Sequence, residues 1–212
     1  ASKENRKELF DRWSERYDMD VIEAEFPLIG YRDILMMIIG MADINIDHRV
    51  LDLGVGTGNL AKLVPLPRDQ IWGADFSSKM LENARMRLPE SHLFQVDLRS
   101  SSWPIEMKGP FDRIISGYTF HEFPDTYKNS LLSRLAHESL TPEGLIVIGD
   151  ISYQTQNIFN QTHQEFQDLW DEDEFYWCAE EMIPTLEDDG FSVNYEQVSP
   201  CGGVYHLSGA LK

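Results

Sequence analysis

A chain of 212 residues, 42% hydrophobic and 25% charged, has ordinary globular composition; that excludes a disordered or fibrous chain and suits one domain with a small appendage. Two cysteines, Cys178 and Cys201, with no CxxC pair argue against a zinc module and a disulfide scaffold, and leave a reducing, cytoplasmic setting as the expectation. A formal net charge of −18 repels phosphate backbones and anionic lipid alike, so neither nucleic acid nor a membrane is an expected partner.

Nearly all of that imbalance lies late in the chain: residues 135–211 hold 15 acids and no Lys or Arg. Such an excess reads first as a solvated face, and second as a rim that gathers cationic small molecules. The longest apolar run, 34–39, is far short of the ~20 residues that span a bilayer. The polar opening residues do not have the character of a signal peptide. A soluble intracellular domain is expected.

In chain order, the spacing of Leu9, Phe10, Trp13 and Tyr17 predicts a helix over 3–18, and a second follows over 29–41. Residues 49–53 read as a short buried strand, followed by a glycine loop and a helix over 59–64. A strand over 70–75 leads into a helix over 77–87, with Ser77 or Ser78 as its cap. Further strands are predicted over 92–97 and 111–117, a helix over 125–139, and a fifth strand over 144–150. One or two helices fill 154–189, and two strands near 191–198 and 203–211 end the chain. Continuous apolar strands alternating with helices predict an α/β fold, a doubly wound and mostly parallel sheet with helices on both faces. No helix separates the last two strands, so they are expected to pair antiparallel at the edge.

Ligands of open α/β sheets bind beyond the carboxyl ends of the strands. The first strand delivers Asp52-Leu-Gly54-Val-Gly56-Thr-Gly58 to that edge, where glycines allow close backbone approach and a helix N-terminus offers free N–H groups. Asp75 ends the second strand, 23 residues after Asp52, where a carboxylate can accept from both hydroxyls of a ribose. Asp97 lies 22 residues further on, placed to accept from an adenine amino group. The dinucleotide fingerprint would need glycine at position 59, which is Asn59, so an NAD oxidoreductase fails on spacing. An acid directly before the loop also repels a pyrophosphate but welcomes an ammonium, and S-adenosylmethionine carries one.

Val50-Leu-Asp-Leu-Gly-Val-Gly-Thr-Gly58 resembles the first motif of the class I, Rossmann-like S-adenosylmethionine-dependent methyltransferases, and Asp75 and Asp97 match that family's second and third motif acids. Leu9-Phe-Asp-Arg-Trp-Ser-Glu-Arg-Tyr-Asp18, Ser116-Gly-Tyr-Thr-Phe-His121 and Pro184-Thr-Leu extend the resemblance to the small bacterial YrrT-like methyltransferases, linked to methionine-to-cysteine recycling. The resemblance implies a seven-stranded sheet with an antiparallel last strand. It also implies an N-terminal helical cap over 1–47, a methyltransferase domain over 48–212 and a helical insertion over 154–189.

Carried onto this chain, it places Gly54, Gly56 and Gly58 along the methionine part of the cofactor, with Asp52 reaching the amino group. Asp75 binds the ribose, Phe76 and Met80 flank adenine, Asp97 and Leu98 read its edge, and Tyr17 closes over the site. His121, in the loop that borders the transferred methyl, is the candidate general base, its ordinary pKa near ~6.5 suiting proton removal at neutral pH. Tyr118 is a candidate for the acceptor pocket. No catalytic metal is expected, because Asp150 ends the fifth strand with no evident partner. The expected acceptor is a small molecule, and the oligomeric state is open. A non-catalytic S-adenosylmethionine-binding sensor is the rival reading. An aminopropyl transferase is a third, although such enzymes usually carry an acid inside the glycine loop, where this chain has Val55 and Thr57.

Overall fold

Apolar strands without alternation need cover on both faces, and the computed structural model, which describes residues 25–209, provides it. Seven strands form the main sheet: β1 (Val50–Leu53), β2 (Ile71–Asp75), β3 (His92–Gln95), β4 (Phe111–Gly117), β5 (Leu140–Tyr153), β7 (Ser192–Ser199) and β8 (Gly202–Ser208). Their spatial order is β3-β2-β1-β4-β5-β8-β7, and a two-residue strand, β6 (Trp177–Cys178), pairs with β5 off this path. β3, β2, β1, β4 and β5 run parallel, while β8 lies antiparallel between β5 and β7. The last two strands therefore pair antiparallel as expected, with β7 at the edge.

The helices α1 (Tyr31–Met41), α2 (Ser78–Arg87), α3 (Asp125–Glu138), α4 (Gln156–Glu165) and α5 (Ala179–Asp188) connect or cover the strands. Side-chain alternation in β1 assigns its two faces. Leu51 and Leu53 join a core with Leu131, Leu135 of α3 and Met182, Leu186 of α5, while Val50 joins a second core with Ile34 and Ile38 of α1. Each such fully buried aliphatic side chain stabilises the fold by about 1.5–3 kcal/mol. α1 sits unusually close to the sheet because Gly149 of β5 has no side chain: a Cβ there would lie 2.5 Å from Ile34 Cγ2. α2 starts where the sequence indicates, with Ser77 Oγ accepting from the Met80 amide.

Three predicted elements differ, β3 by ending at Gln95 rather than at 97. The helix over 59–64 shrinks to one 3₁₀ turn, Ala61–Leu63, because Pro65 holds Val64 in the extended region (φ −62°, ψ 122°). β5 starts before 144: Leu140 already pairs with Phe111 across an irregular register, so Pro142 and Gly144 mark a bulged strand rather than a turn. The helix expected over 3–18, with Tyr17, lies outside the described residues. Among those described, no helix is long and apolar enough to cross a membrane.

Candidate active site at the carboxyl edge of the sheet

Four parallel strands end at one edge, and the loops after β1, β2, β3 and β4 bring most of the sequence-predicted residues together there. The glycine loop leaves β1 with Gly54, Gly56 and Gly58 at φ +73°, +54° and +89°, the left-handed region that side chains oppose. The Gly54 and Val55 amides both donate to the Ala74 carbonyl of β2, at 2.8 and 2.9 Å. A Cβ at Gly54 would collide with Thr119 at 1.9 Å, so the loop after β4 closes one side. At Gly56 the nearest described atom would be 3.9 Å away, so that side is open to a ligand.

Asp75 joins this loop to α2. Its Oδ2 accepts from the Gly56 amide at 2.9 Å and its Oδ1 from the Ser77 amide at 2.8 Å, so it shapes the site as well as lining it. Asp52 is different. It is 1% exposed, and among the described residues neither of its oxygens has a hydrogen-bond partner. Burial, and then the neighbouring Asp75 charge, push its pKa up to about 8, and the Ala61 backbone offsets this only in part. A buried carboxyl without a donor costs free energy that a bound ammonium would recover. The donor set thus fits the amino group of S-adenosylmethionine.

Met80 is buried in the first turn of α2, and the Phe76 carbonyl accepts from Gln95 Nε2 at 3.1 Å. β3 ends at Gln95, so Asp97 stands two residues past the strand, exposed, with Oδ1 accepting from the Arg99 amide at 2.9 Å. It forms one wall of an open cleft of about 530 Å³ with Gln95, Ser100 and Trp103. Leu98 is buried, and its carbonyl accepts from Tyr127 Oη at 2.7 Å.

The loop after β4 holds the second part of the site. Tyr118 adopts φ +54°, stacks on Tyr31 with ring centroids 4.9 Å apart, and buries its hydroxyl without a partner among the described residues. Burial first, then Asp150, raise its pKa well above the ordinary phenol value, so it stays a neutral donor. Strain of this kind at a non-glycine residue concentrates at functional sites.

His121 follows on a 3₁₀ turn, Phe120–Glu122, and is 7% exposed. Its Nδ1 lies 2.6 Å from Asp150 Oδ1, and its amide donates to Asp150 Oδ2 at 2.8 Å. Asp150 also accepts from the Ile151 amide at 2.8 Å and from Trp177 Nε1 at 3.3 Å. Glu122 and Glu174 both stand 3.8 Å from His121 Nε2. Burial alone pulls the imidazole pKa down, but Asp150, then Glu174 and Glu122, carry it up to about 9. With no other cation at Nε2, such a ring keeps its proton at neutral pH, contrary to the expectation of an ordinary histidine base.

The apolar residues of 159–170 divide between core and surface. Phe159 and Trp170 pack on buried Tyr153 and Tyr176, Phe166 stacks on Phe26 at 4.4 Å, and Leu169 is exposed. Sequence reasoning missed Glu122 and Glu174. Glu122 adjoins a singled-out histidine, but Glu174 reaches it only through a tertiary contact, the Phe175 amide donating to the His121 carbonyl at 2.7 Å.

This sheet order, glycine loop and set of strand-end acids define a class I, Rossmann-like methyltransferase fold. Comparison with known proteins agrees. A family described as a methyltransferase domain matches residues 50–144. An uncharacterized methyltransferase of Geobacillus kaustophilus is 30% identical over 202 residues, covering 90% of each chain. Among solved structures, magnesium protoporphyrin IX methyltransferase of Synechocystis with bound SAH (S-adenosylhomocysteine) superposes with a TM-score of 0.73 at 16% identity, covering 99% of this chain and 100% of that one. A DhpI–SAM–HEP complex gives 0.74 at 17%, covering 98% and 99%. The chain belongs to the methyltransferase family, and its cofactor is S-adenosylmethionine.

Proposed function

We propose that this protein methylates a small-molecule acceptor held between the loop after β4 and the 154–176 segment. The observation that carries the reading is Asp52: a buried carboxyl with no described partner, at the root of a glycine loop whose open side is Gly56. Bound S-adenosylmethionine supplies a methyl group activated on a sulfonium. Asp52 would hold its amino group, and the Gly54–Gly58 backbone would lie along its methionine part. Asp75 would take the ribose, with Phe76, Met80, Asp97 and Leu98 around the adenine.

Displacement at a sulfonium needs alignment more than acid–base help, so positioning can supply most of the rate. Tyr118, with a buried phenol and a backbone set by its own strain, would orient the acceptor. His121, carrying its charge inside the acid cluster, would shape the acceptor side rather than remove a proton. A small acceptor, rather than nucleic acid, is favoured by the net charge of −18. The YrrT-like resemblance favours small thiol and amine metabolites as the first acceptors to screen.

Calorimetric titration with S-adenosylhomocysteine, with NAD as the parallel control, tests the reading. Binding of the former alone at about micromolar Kd, near −8 kcal/mol, is expected. A cofactor-consuming screen of acceptors should then release S-adenosylhomocysteine. Binding of NAD instead, or of neither, would sink the proposal. Cofactor binding without turnover on any acceptor would leave a sensor.

A further inference from the structure

The cluster around His121 is built with more care than packing requires. Three separated parts of the chain meet there: the 3₁₀ turn after β4 brings His121 and Glu122, β5 brings Asp150, and the segment before β6 brings Glu174. The Phe175 amide ties that last segment to the His121 carbonyl, and the Tyr176 hydroxyl donates to the Glu174 carboxylate. The imidazole is 8% exposed, with Nδ1 held by Asp150 and Nε2 turned toward both glutamates.

Distance separates the two cations that could sit at Nε2. A proton there would draw a carboxylate to hydrogen-bond range, about 2.7–2.9 Å. Yet Glu122 Oε1 and Glu174 Oε1 both stand 3.8 Å from Nε2, and Nε2 has no hydrogen bond to a described residue. The three ligand atoms lie within 4.8 Å of one another. Ligands about 2.0–2.2 Å from a shared metal ion are separated from one another by roughly 3–4 Å. Two carboxylates turned to one ring nitrogen at that spacing leave room between them for a cation larger than a proton.

We propose that His121 Nε2, Glu122 and Glu174 bind a divalent first-row transition ion, with Asp150 as the outer carboxylate that fixes the imidazole tautomer. A carboxylate on Nδ1–H is the usual support of a metal-binding histidine, and it leaves Nε2 as the donor. One imidazole with two carboxylates suits Zn²⁺ or Mn²⁺ better than Mg²⁺ or Ca²⁺, which take oxygen alone. Three protein ligands leave a coordination position for solvent or for a donor atom of the acceptor. The ion's use in methyl transfer rests on the proposed function; its binding does not. Such a site departs from the sequence-based expectation of no metal, which rested on Asp150 having no evident second carboxylate ligand.

The test is Mn²⁺ titration of the full chain, stripped with chelator, followed by electron paramagnetic resonance and by Zn²⁺ competition. S-adenosylhomocysteine is titrated into the same samples. A single bound Mn²⁺ displaced by Zn²⁺ is expected, and Glu122→Gln and Glu174→Gln should each weaken it about tenfold or more. Glu172→Gln, on an exposed carboxylate that faces His163, should leave it unchanged. No binding at about 1 mM Mn²⁺ or Zn²⁺, or binding indifferent to both glutamine variants, overturns the site. Failure of the metal with intact S-adenosylhomocysteine binding would overturn this inference alone. The reverse pattern would overturn the methyltransferase reading alone.

Discussion

Asp52 makes cofactor binding depend on pH in a defined direction. In the free protein its pKa stands at about 8, so at neutral pH the carboxyl is mostly protonated and neutral. An ammonium seated beside it selects the ionised form, so binding expels a proton. At about pH 6, two units below that pKa, the affinity should be about a hundredfold below its plateau, on the order of 3 kcal/mol. Calorimetric titrations with S-adenosylhomocysteine in two buffers of different ionisation enthalpy should count about one proton released near pH 6, and only about a quarter of one near pH 8.5. The ligand's own amine titrates at the alkaline end, so Asp52→Asn serves as the reference. That variant should bind more weakly on the plateau and show no acid-side slope. A pH-independent affinity in the wild type, with no proton released, would refute both the buried neutral carboxyl and its assignment to the amine.

Asp75→Ala should weaken cofactor binding by about 1–3 kcal/mol and also lower the melting temperature, because it removes the acceptor of the Gly56 and Ser77 amides. Unchanged affinity in a folded variant would remove Asp75 from the site. Lys128 is fully buried, with Nζ donating to Asp125 at 2.7 Å and to the Phe175 carbonyl at 2.6 Å. Lys128→Met should destabilise by about 1–3 kcal/mol in chemical denaturation, by leaving that carbonyl unsatisfied; equal stability would show that the pair adds nothing. His121 carries a folded-state pKa of about 9 against an ordinary 6.5, so the stability it contributes is complete below 6.5 and is lost as pH rises through 9. Asp52 acts in the same direction over 3.8 to about 8, since only the folded form keeps its proton there. The metal-free protein should therefore melt at lower temperature with rising pH across that combined range. Asp52→Asn should flatten the acid part of that curve and His121→Gln the alkaline part; parallel curves would exclude both groups.

The part of the site legible in the sequence is the part encoded locally. Asp52, the three glycines and Asp75 follow from strand–loop–helix grammar, because strand ends and glycine conformations are set within a few residues. Where a neighbour intervened, the reading slipped. Pro65 cut short the helix after the loop, and the last β2–β3 pairing at Gln95 left Asp97 past the strand. The His121 cluster had no local signature: adjacency shows Glu122, but not that Asp150 and Glu174 converge on the same ring.

The acidic last third shows why counting charge could not find that cluster. Of its 15 acids, 13 are exposed, as the reading of a solvated face requires. The other two, Asp150 and Glu174, turn inward to meet the imidazole. Composition cannot separate an inward carboxylate from a solvated one, because only the tertiary fold decides which acid is denied water. An acid denied water needs donors or a cation. Asp150 has its donors in two backbone amides, Trp177 and the His121 ring, and Glu174 accepts from the Tyr176 hydroxyl; Glu174 and Glu122 also flank the ring nitrogen that Asp150 leaves untouched. That convergence on one ring, not the total charge, singles out the His121 cluster, to which the acidic third contributes only Asp150 and Glu174.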